Sequence, residues 1–405
     1  LRSSIQSARE ISTMTEPRDV LNRRKFVQMG TGLASLAGAA LGAGAQTTGE
    51  GISSGDEMPY RPLGQTGLKV SAISFGSYGF SNPGLLERAM DKGVNFVCTA
   101  AVYQNGVAEE AIGRVTKNRR KDTVLLTGWK CTPQSTKKDL LQSLDQSLKR
   151  LQTDHVDIIK THDVDDPADL DLAAQYEAFE EAKQAGKVRF LGLSGHGGNL
   201  EKVLDKAIAS GKFHVFQCKY NFMEYQSQEK LFEAAAKKGI GVVAFKVEAG
   251  KRQDEIPGLD SGQLTLRQAA IRWAMTNPNL GSVCVTISNF NVIDEYYQAV
   301  TKKFGQAERD LLRKYAEAVD QSYCRYCSTC EPKCPHRVAV ADIMRYAMYF
   351  KYYKMEKEAM ALYARLPGER RALPCLDCPG YCNQECPHRR SVRDGLLEAN
   401  NLLTC

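Results

Sequence analysis

Eight of the 13 cysteines fall into two short runs near the C-terminus. The first is Cys324-x2-Cys327-x2-Cys330-x3-Cys334-Pro335, the second Cys375-x2-Cys378-x3-Cys382-x3-Cys386-Pro387. Three chemistries use such runs: a structural Zn(Cys)4 site, disulfides in an oxidising compartment, and a [4Fe–4S] cubane. The first run has the spacing bacterial electron carriers use for [4Fe–4S] clusters, and in two-cluster carriers the cysteine before proline serves the other cluster. One cluster would then take Cys324, Cys327, Cys330 and Cys386, and the other Cys375, Cys378, Cys382 and Cys334. Two four-cysteine runs, each closing on Cys-Pro, favour iron–sulfur over the alternatives. His336 and His388 follow the Cys-Pro pairs and are expected to tune or solvate the clusters. Cys98, Cys131, Cys218, Cys284 and Cys405 form no close-spaced motif, so no disulfide framework is indicated.

A second group of residues sits at the ends of apolar runs. These runs are Val70–Gly76, Asn95–Ala100, Val124–Lys130, Val156–His162, Val188–Ser194, Val215–Asn221, Gly241–Val247 and Gly281–Ser288. Each is short and aliphatic, as a strand buried on both faces should be. Stretches with helical spacing separate them, from Gly84–Lys92 to Val292–Lys302. Strands and helices alternating eight times predict a closed (β/α)8 TIM barrel, and no Gly-x-Gly-x-x-Gly follows the first strand to suggest an open sheet. Chemistry in such a barrel sits at the C-terminal strand ends. Those ends carry Cys98 and Tyr103, Lys130, His162, Ser194, Gln217, Phe245 and Lys246.

Four segments in this frame resemble the aldo/keto reductase family. They are Tyr60–Ser71, Cys98-Thr-Ala-Ala-Val-Tyr103-Gln-Asn-Gly106 with Glu109 and Gly113 beyond, Gly186–Ser194, and Gly239–Ala244. The resemblance spans residues 58 to about 303. It implies that Tyr103 donates a proton to a carbonyl being reduced, that Lys130 lowers the Tyr103 pKa from its usual value of about 10, and that His162 orients the carbonyl. Cys98 stands where the family has an Asp that pairs with the Lys. A neutral thiol there reads as volume filling in a buried strand. The resemblance also implies a nicotinamide cofactor, NADP or NAD. Ser194 and Gln217 would hold its carboxamide, Phe245 would stack on its ring, Lys246 would contact phosphate and Glu295 the adenine. Gly195 replaces the usual Asn, and residues 282–300 hold no Lys or Arg for a 2′-phosphate, so NADP is not favoured over NAD.

The N-terminal 45 residues carry six Arg and Lys against three acids. Downstream of Met14, Asn22-Arg23-Arg24-Lys25-Phe26-Val27, a Gly/Ala-rich stretch to Gly44 and Ala43-Gly44-Ala45 read in order as a twin-arginine export signal. That stretch is too short for a stable membrane anchor. Such a route exports folded proteins and leads to the periplasm, which suits a cofactor inserted before export. The expected organisation is signal 1–45, linker 46–57, barrel 58–305 and an α-rich ferredoxin-like domain 306–405, in which the Tyr- and Met-rich stretch Ala339–Leu366 is helical core. The chain has 405 residues and a net charge of +7, too dispersed to indicate a nucleic-acid partner. These features together predict an exported iron–sulfur oxidoreductase acting on a small-molecule carbonyl, with a redox partner protein. The rival is a degenerate barrel that serves only as an electron-transfer or binding module.

Overall fold

The computed structural model describes residues 57–250, 256, 259, 262, 264–319, 322–353 and 355–404. The expected export signal and all of the linker but Glu57 lie outside them.

A two-stranded antiparallel hairpin comes first, β1 Tyr60–Pro62 and β2 Lys69–Ser71. Eight parallel strands follow: β3 Ile73–Gly76, β4 Phe96–Cys98, β5 Val124–Trp129, β6 Val156–Thr161, β7 Val188–Gly195, β8 Val215–Lys219, β9 Gly241–Phe245 and β10 Leu280–Thr286. They close into a barrel in chain order, with β10 beside β3. Every expected run contributes one strand. Val70 is the exception at a boundary: it pairs with Arg61 in the hairpin, and the first barrel strand starts at Ile73. The hairpin has its own task. Leu63, Leu68 and Val70 join Phe96, Val124, Ile158, Val215 and Val243 in one buried cluster that fills the lower barrel.

Eight helices wrap the outside: α1 Pro83–Asp91, α2 Val107–Thr116, α3 Lys137–Leu151, α4 Ala173–Gln184, α5 Leu200–Ser210, α6 Gln226–Lys237, α7 Leu266–Ala274 and α8 Phe290–Thr301. Capping boxes start α3 at Thr136 and α7 at Thr265, where side chains satisfy the free first-turn N–H groups. The helical stretch between β6 and β7 splits into a 3-10 turn, Pro167–Asp171, and α4. Gln175 causes the break, because its amide donates to the Asp169 carbonyl and its Oε1 accepts from Thr161, which pulls the turn onto β6. Glu109, in the motif beyond Tyr103, is fully buried and takes bonds from Thr127 at 2.5 Å and Arg150 at 2.7 Å. It fastens α2 to β5 and α3 and belongs to the scaffold.

Among the described residues five further helices follow: α9 Gln306–Val319, α10 Val340–Tyr352, α11 Glu356–Arg365, α12 Tyr381–Gln384 and α13 Val392–Leu403. A buried ion pair from Arg272 to Glu308 ties α9 to α7. Tyr363 on α11 donates to Asn400 on α13 at 2.6 Å. Among the described residues no helix is long and apolar enough to cross a membrane.

Candidate active site and cysteine centres

Side chains alternate inward and outward along a barrel strand. The inward set near the C-terminal ends is Cys98 on β4, Gly128 on β5, Lys160 on β6, Gln217 on β8 and Cys284 on β10. Lys160 is only 2% exposed, and its ammonium donates to Gln217 Oε1 at 2.5 Å. Its stem crosses Gly128, where any Cβ would come within 2.8 Å of Lys160 Cγ, so a glycine is required there. The Cys98 thiol donates to the Cys284 sulfur. Burial first and this bond second push the Cys98 pKa well up, while the same bond and Lys160 draw Cys284 down. Burial lowers the Lys160 pKa, and the two sulfurs oppose that fall. Cys98 is thus one member of a thiol–ammonium cluster rather than inert filling.

Lys130 does not occupy the place the sequence suggested. Trp129 is the buried last residue of β5, and Lys130 lies exposed beyond it. Its ammonium donates to the backbone carbonyls of Asp163 at 2.8 Å and His162 at 3.3 Å. The pKa-lowering role therefore fails for a geometric reason: the charge is spent outside the barrel on the turn after β6. Tyr103 instead meets burial first, then Cys284, Asp163, Cys98 and Tyr349, all of which hold its pKa well above the ordinary range. The residue that sequence reasoning missed is Lys160. Its signal was available, as a lysine at an inward position of Val156-Asp-Ile-Ile-Lys-Thr161 faces a glycine on the neighbouring strand.

Tyr103 and His162 do come together. Their rings meet edge to face with centroids 5.4 Å apart, and Tyr78 packs on the other side of Tyr103 at 5.3 Å. His162 Nδ1 lies 3.5 Å from Ser194 Oγ, which also accepts the Asp163 N–H at 3.0 Å. Burial, reinforced by Lys160, drops the His162 pKa to about 3, so the ring is neutral. Asp163, in a left-handed conformation at φ 56°, faces His196 Nε2 at 3.1 Å. Arg345 reaches His196 Nδ1 at 3.2 Å. Arginine can only donate, so Nδ1 accepts and the Nε2–H points to Asp163.

Helix α10 lies over this end of the barrel. Lys246 donates to the Tyr349 hydroxyl at 2.7 Å, and Gly250 touches Tyr323 so closely that a Cβ would fall 2.6 Å from its ring. The residues expected to bind nicotinamide divide accordingly. Ser194 and Gln217 are register partners on β7 and β8. Phe245 meets His196 edge-on at 5.7 Å, and Glu295 accepts from Arg267 at 2.7 Å and Thr265 at 2.5 Å. His196, Lys219, Lys246, Tyr323, Tyr326 and Arg345 line the narrow space left at the mouth.

Cys382 acts electrostatically on Cys330 as well as on Cys375, so the two expected sets lie near one another. Cys324, Cys327, Cys330 and Cys386 line one partly open cavity of about 390 Å³, with Arg390 and His388 beside them. Cys375, Cys382, Cys334 and Cys378 act on one another electrostatically in the second. Burial and mutual repulsion push the Cys330 thiol up to about 12; burial and neighbouring thiols push Cys375 up to about 11. Gathered thiols of this kind suit a cationic core that would take them as thiolates. All described cysteines are free, and among the described residues no three His, Cys, Asp or Glu side chains close on a single ion.

The sequence profile described as "Aldo/keto reductase family" matches residues 82–254. An uncharacterized oxidoreductase of Bacillus subtilis, YrpG, is 31% identical over 224 residues, covering 48% of this chain and 67% of that protein. L-galactose dehydrogenase of Arabidopsis thaliana is 26% identical over 287 residues, covering 61% of this chain and 89% of that protein. Among solved structures, the thermostable aldo-keto reductase Tm1743 aligns at TM-score 0.53 and 26% identity, over 64% of this chain and 99% of that one.

The neutral histidines set the acid stability. His162 titrates at 6.5 when unfolded and about 3 when folded, and burial also holds His196 well below 6.5. Between these values the unfolded chain binds protons that the folded site refuses, so stability falls as pH drops below about 6.5. Urea midpoints should decrease from about pH 7 to pH 5, and the decrease should be shallower in His196→Gln. A midpoint constant over that range would show that neither histidine is held neutral.

Proposed function

The chain belongs to the aldo/keto reductase family, and on that premise we propose that it is an exported iron–sulfur oxidoreductase whose barrel interconverts a carbonyl and an alcohol. The observation that carries this reading is a shared wall. Tyr323 and Tyr326 line both the cavity of Cys324, Cys327, Cys330 and Cys386 and the cavity at the barrel mouth.

In the barrel, Tyr103 gives its phenolic proton to the carbonyl oxygen. No cation lowers its pKa, so it works as a neutral phenol. His162, also neutral, presents a ring nitrogen beside Ser194 to orient the same oxygen. Lys160 holds Gln217 from below. Two [4Fe–4S] clusters would be held by Cys324, Cys327, Cys330 and Cys386, and by Cys334, Cys375, Cys378 and Cys382. When bound they would supply one-electron transfer with a redox partner protein. Nicotinamide is implied by the family, and Ser194 and Gln217 suit its carboxamide. When bound, it would supply the two electrons of the reduction as hydride, the carbonyl oxygen taking its proton from Tyr103. The rival reading, a barrel that only binds or relays electrons, draws on Cys98 and the raised Tyr103 phenol.

Tyr103→Phe separates the two. It keeps the ring and removes the proton, so carbonyl reduction should fall about 10²–10⁴-fold with the melting temperature nearly unchanged. Equal turnover in the variant would assign Tyr103 to packing.

The cluster assignment is read by metal analysis. Protein purified without oxygen should be brown, with about eight iron per chain. Cys386→Ser should deplete the cluster at Cys324, Cys327 and Cys330 and leave about four. Zinc in place of iron would remove the electron-transfer part of the reading.

Export rests on Arg23 and Arg24. Because paired guanidinium groups are the receptor-read feature, changing both to Lys should leave the protein in the cytoplasmic fraction. Undiminished periplasmic protein would refute the route.

A further inference from the structure

We propose that Cys284, on the inward face of β10, is a thiolate nucleophile paired with Lys160, and that small hydroperoxides oxidise it to a sulfenic acid. The site stands apart from the carbonyl reading and uses a side chain that reading leaves idle.

The strand register brings the sulfurs together. Cys284 pairs with Ser74 on β3, and Cys98 on β4 pairs with Gly76 on that same strand. A Cβ at Gly76 would meet the Cys284 sulfur at 3.0 Å. The glycine thus leaves open the space over β3 through which the Cys98 thiol reaches Cys284. The Ser74 hydroxyl, wholly buried, lies against the same two sulfurs and has no other partner.

Charge singles out Cys284. Among the described residues no carboxylate stands within ion-pair distance of Lys160, whose ammonium is bound to Gln217 Oε1 at 2.5 Å. An ammonium enclosed in this way needs an anion. The acidic groups acting on it are, in order, Cys98, Cys284 and Asp163. Asp163 is turned to His196 at 3.1 Å. Cys98 gives its S–H to Cys284, which leaves the Cys284 sulfur as the anion. Gln217 joins the two charges: its oxygen accepts from Lys160, and its amide nitrogen is the group able to donate to Cys284. The Cys98 bond first, then Lys160, Ser74 and Gln217, draw the Cys284 thiol down against its burial.

Access singles it out again. Of the described cysteines outside the two runs, Cys98, Cys131 and Cys218 are buried and Cys284 is half-buried. Burial pushes the other three thiols up. Thiolate character combined with exposure is what makes a cysteine oxidisable. A half-buried sulfur inside a barrel is within reach of a small molecule and out of reach of a protein disulfide, which narrows the oxidant to a small hydroperoxide.

The thiolate attacks the terminal oxygen of the hydroperoxide. An S–O bond forms and the O–O bond breaks. Sulfur gives up two electrons, and the leaving alkoxide takes a proton from water, so the products are a sulfenic acid and an alcohol. Cys98 cannot then close a disulfide. Neighbouring strands lie about 4.7–4.9 Å apart, so β4 and β10, with β3 between them, stand roughly 9 Å apart, beyond the roughly 7 Å a disulfide spans. The sulfenic acid persists until a small external thiol condenses with it, releasing water and leaving a mixed disulfide.

Chemical labelling of the full chain tests this without requiring turnover, and it is read peptide by peptide so that the cysteine runs do not interfere. tert-Butyl hydroperoxide is the oxidant, and dimedone, which adds to sulfenic acids, is the probe. Protein prepared without oxygen and given equimolar oxidant should carry dimedone on the Cys284 peptide. Cys98, Cys131 and Cys218 should stay unlabelled, and no peptide should join Cys98 to Cys284. Lys160→Met should slow the labelling about 10–100-fold, the effect of losing an interaction with a charged group. Cys98→Ala removes the S–H donor without adding bulk, so it should slow labelling too, and it guards against misfolding of the Met variant. An unlabelled Cys284 in the wild type, equal labelling of Cys131 or Cys218, a Cys98–Cys284 disulfide, or an unchanged rate in both variants would each overturn the site.

Discussion

A lysine ammonium inside the barrel is the constraint on which the site depends. TIM-barrel interiors are normally filled by branched apolar side chains, yet Lys160 is 2% exposed there. Removing an ammonium from water costs several kcal/mol after relaxation, and only close polar partners offset it. Each neighbour has the identity this demands. Gln217 presents a carbonyl oxygen at 2.5 Å. Cys98 and Cys284 turn polarisable sulfur toward the charge. Gly128 vacates the space the stem crosses. The charge also reaches upward, where it helps keep His162 neutral. An amide and two thiols thus stand where a buried ammonium would ordinarily meet a carboxylate.

The barrel was legible because its signal is repeated. Eight apolar runs of strand length, separated by helical spacing, leave few alternatives, and each run became a strand. Errors gathered where one residue decides. The end of β5 offers Trp129 and Lys130 side by side, and a strand that alternates inward and outward rewards or punishes a shift of one position completely. The sequence shows a lysine near a strand end; it does not show that the ammonium turns back to two carbonyls outside. Lys160 was missed for the opposite reason. A lysine in mid-strand reads as an outward residue until the glycine that makes room for it is recognised across the sheet. The cysteines differ from both cases, since their expected grouping rests on local spacing and the proline after each run rather than on a register within a sheet.

What no local pattern could show is the position of α10. Its Tyr- and Met-rich sequence is that of a packed helix, and packing is what it does, but against the catalytic end of the barrel. The consequences spread through the site. Burial raises the Tyr103 phenol, and Tyr349 on the helix adds to that rise. The Tyr349 hydroxyl takes up Lys246, and Arg345 fixes the tautomer of His196 and through it the orientation of Asp163. Residues from two architectures thus share one set of hydrogen bonds.

The strained backbone follows the same line. Asp163, Lys246 and Ala249 on the barrel, and Tyr326 and Ser328 on the cysteine-rich side, all have positive φ between 54° and 61°. Non-glycine residues persist in that region only where surrounding contacts impose it, and such residues concentrate at functional sites. These five lie on both faces of the contact between the barrel mouth and the segment carrying Cys324, Cys327 and Cys330, and the other five described are Gln104, Asn105, Gln152, Arg337 and Arg389. Hydrogen bonds from Lys246 to Tyr349, from Arg345 to His196 and from Tyr323 to Glu224 hold this contact together, and Tyr323 and Tyr326 line the cavities on both of its sides.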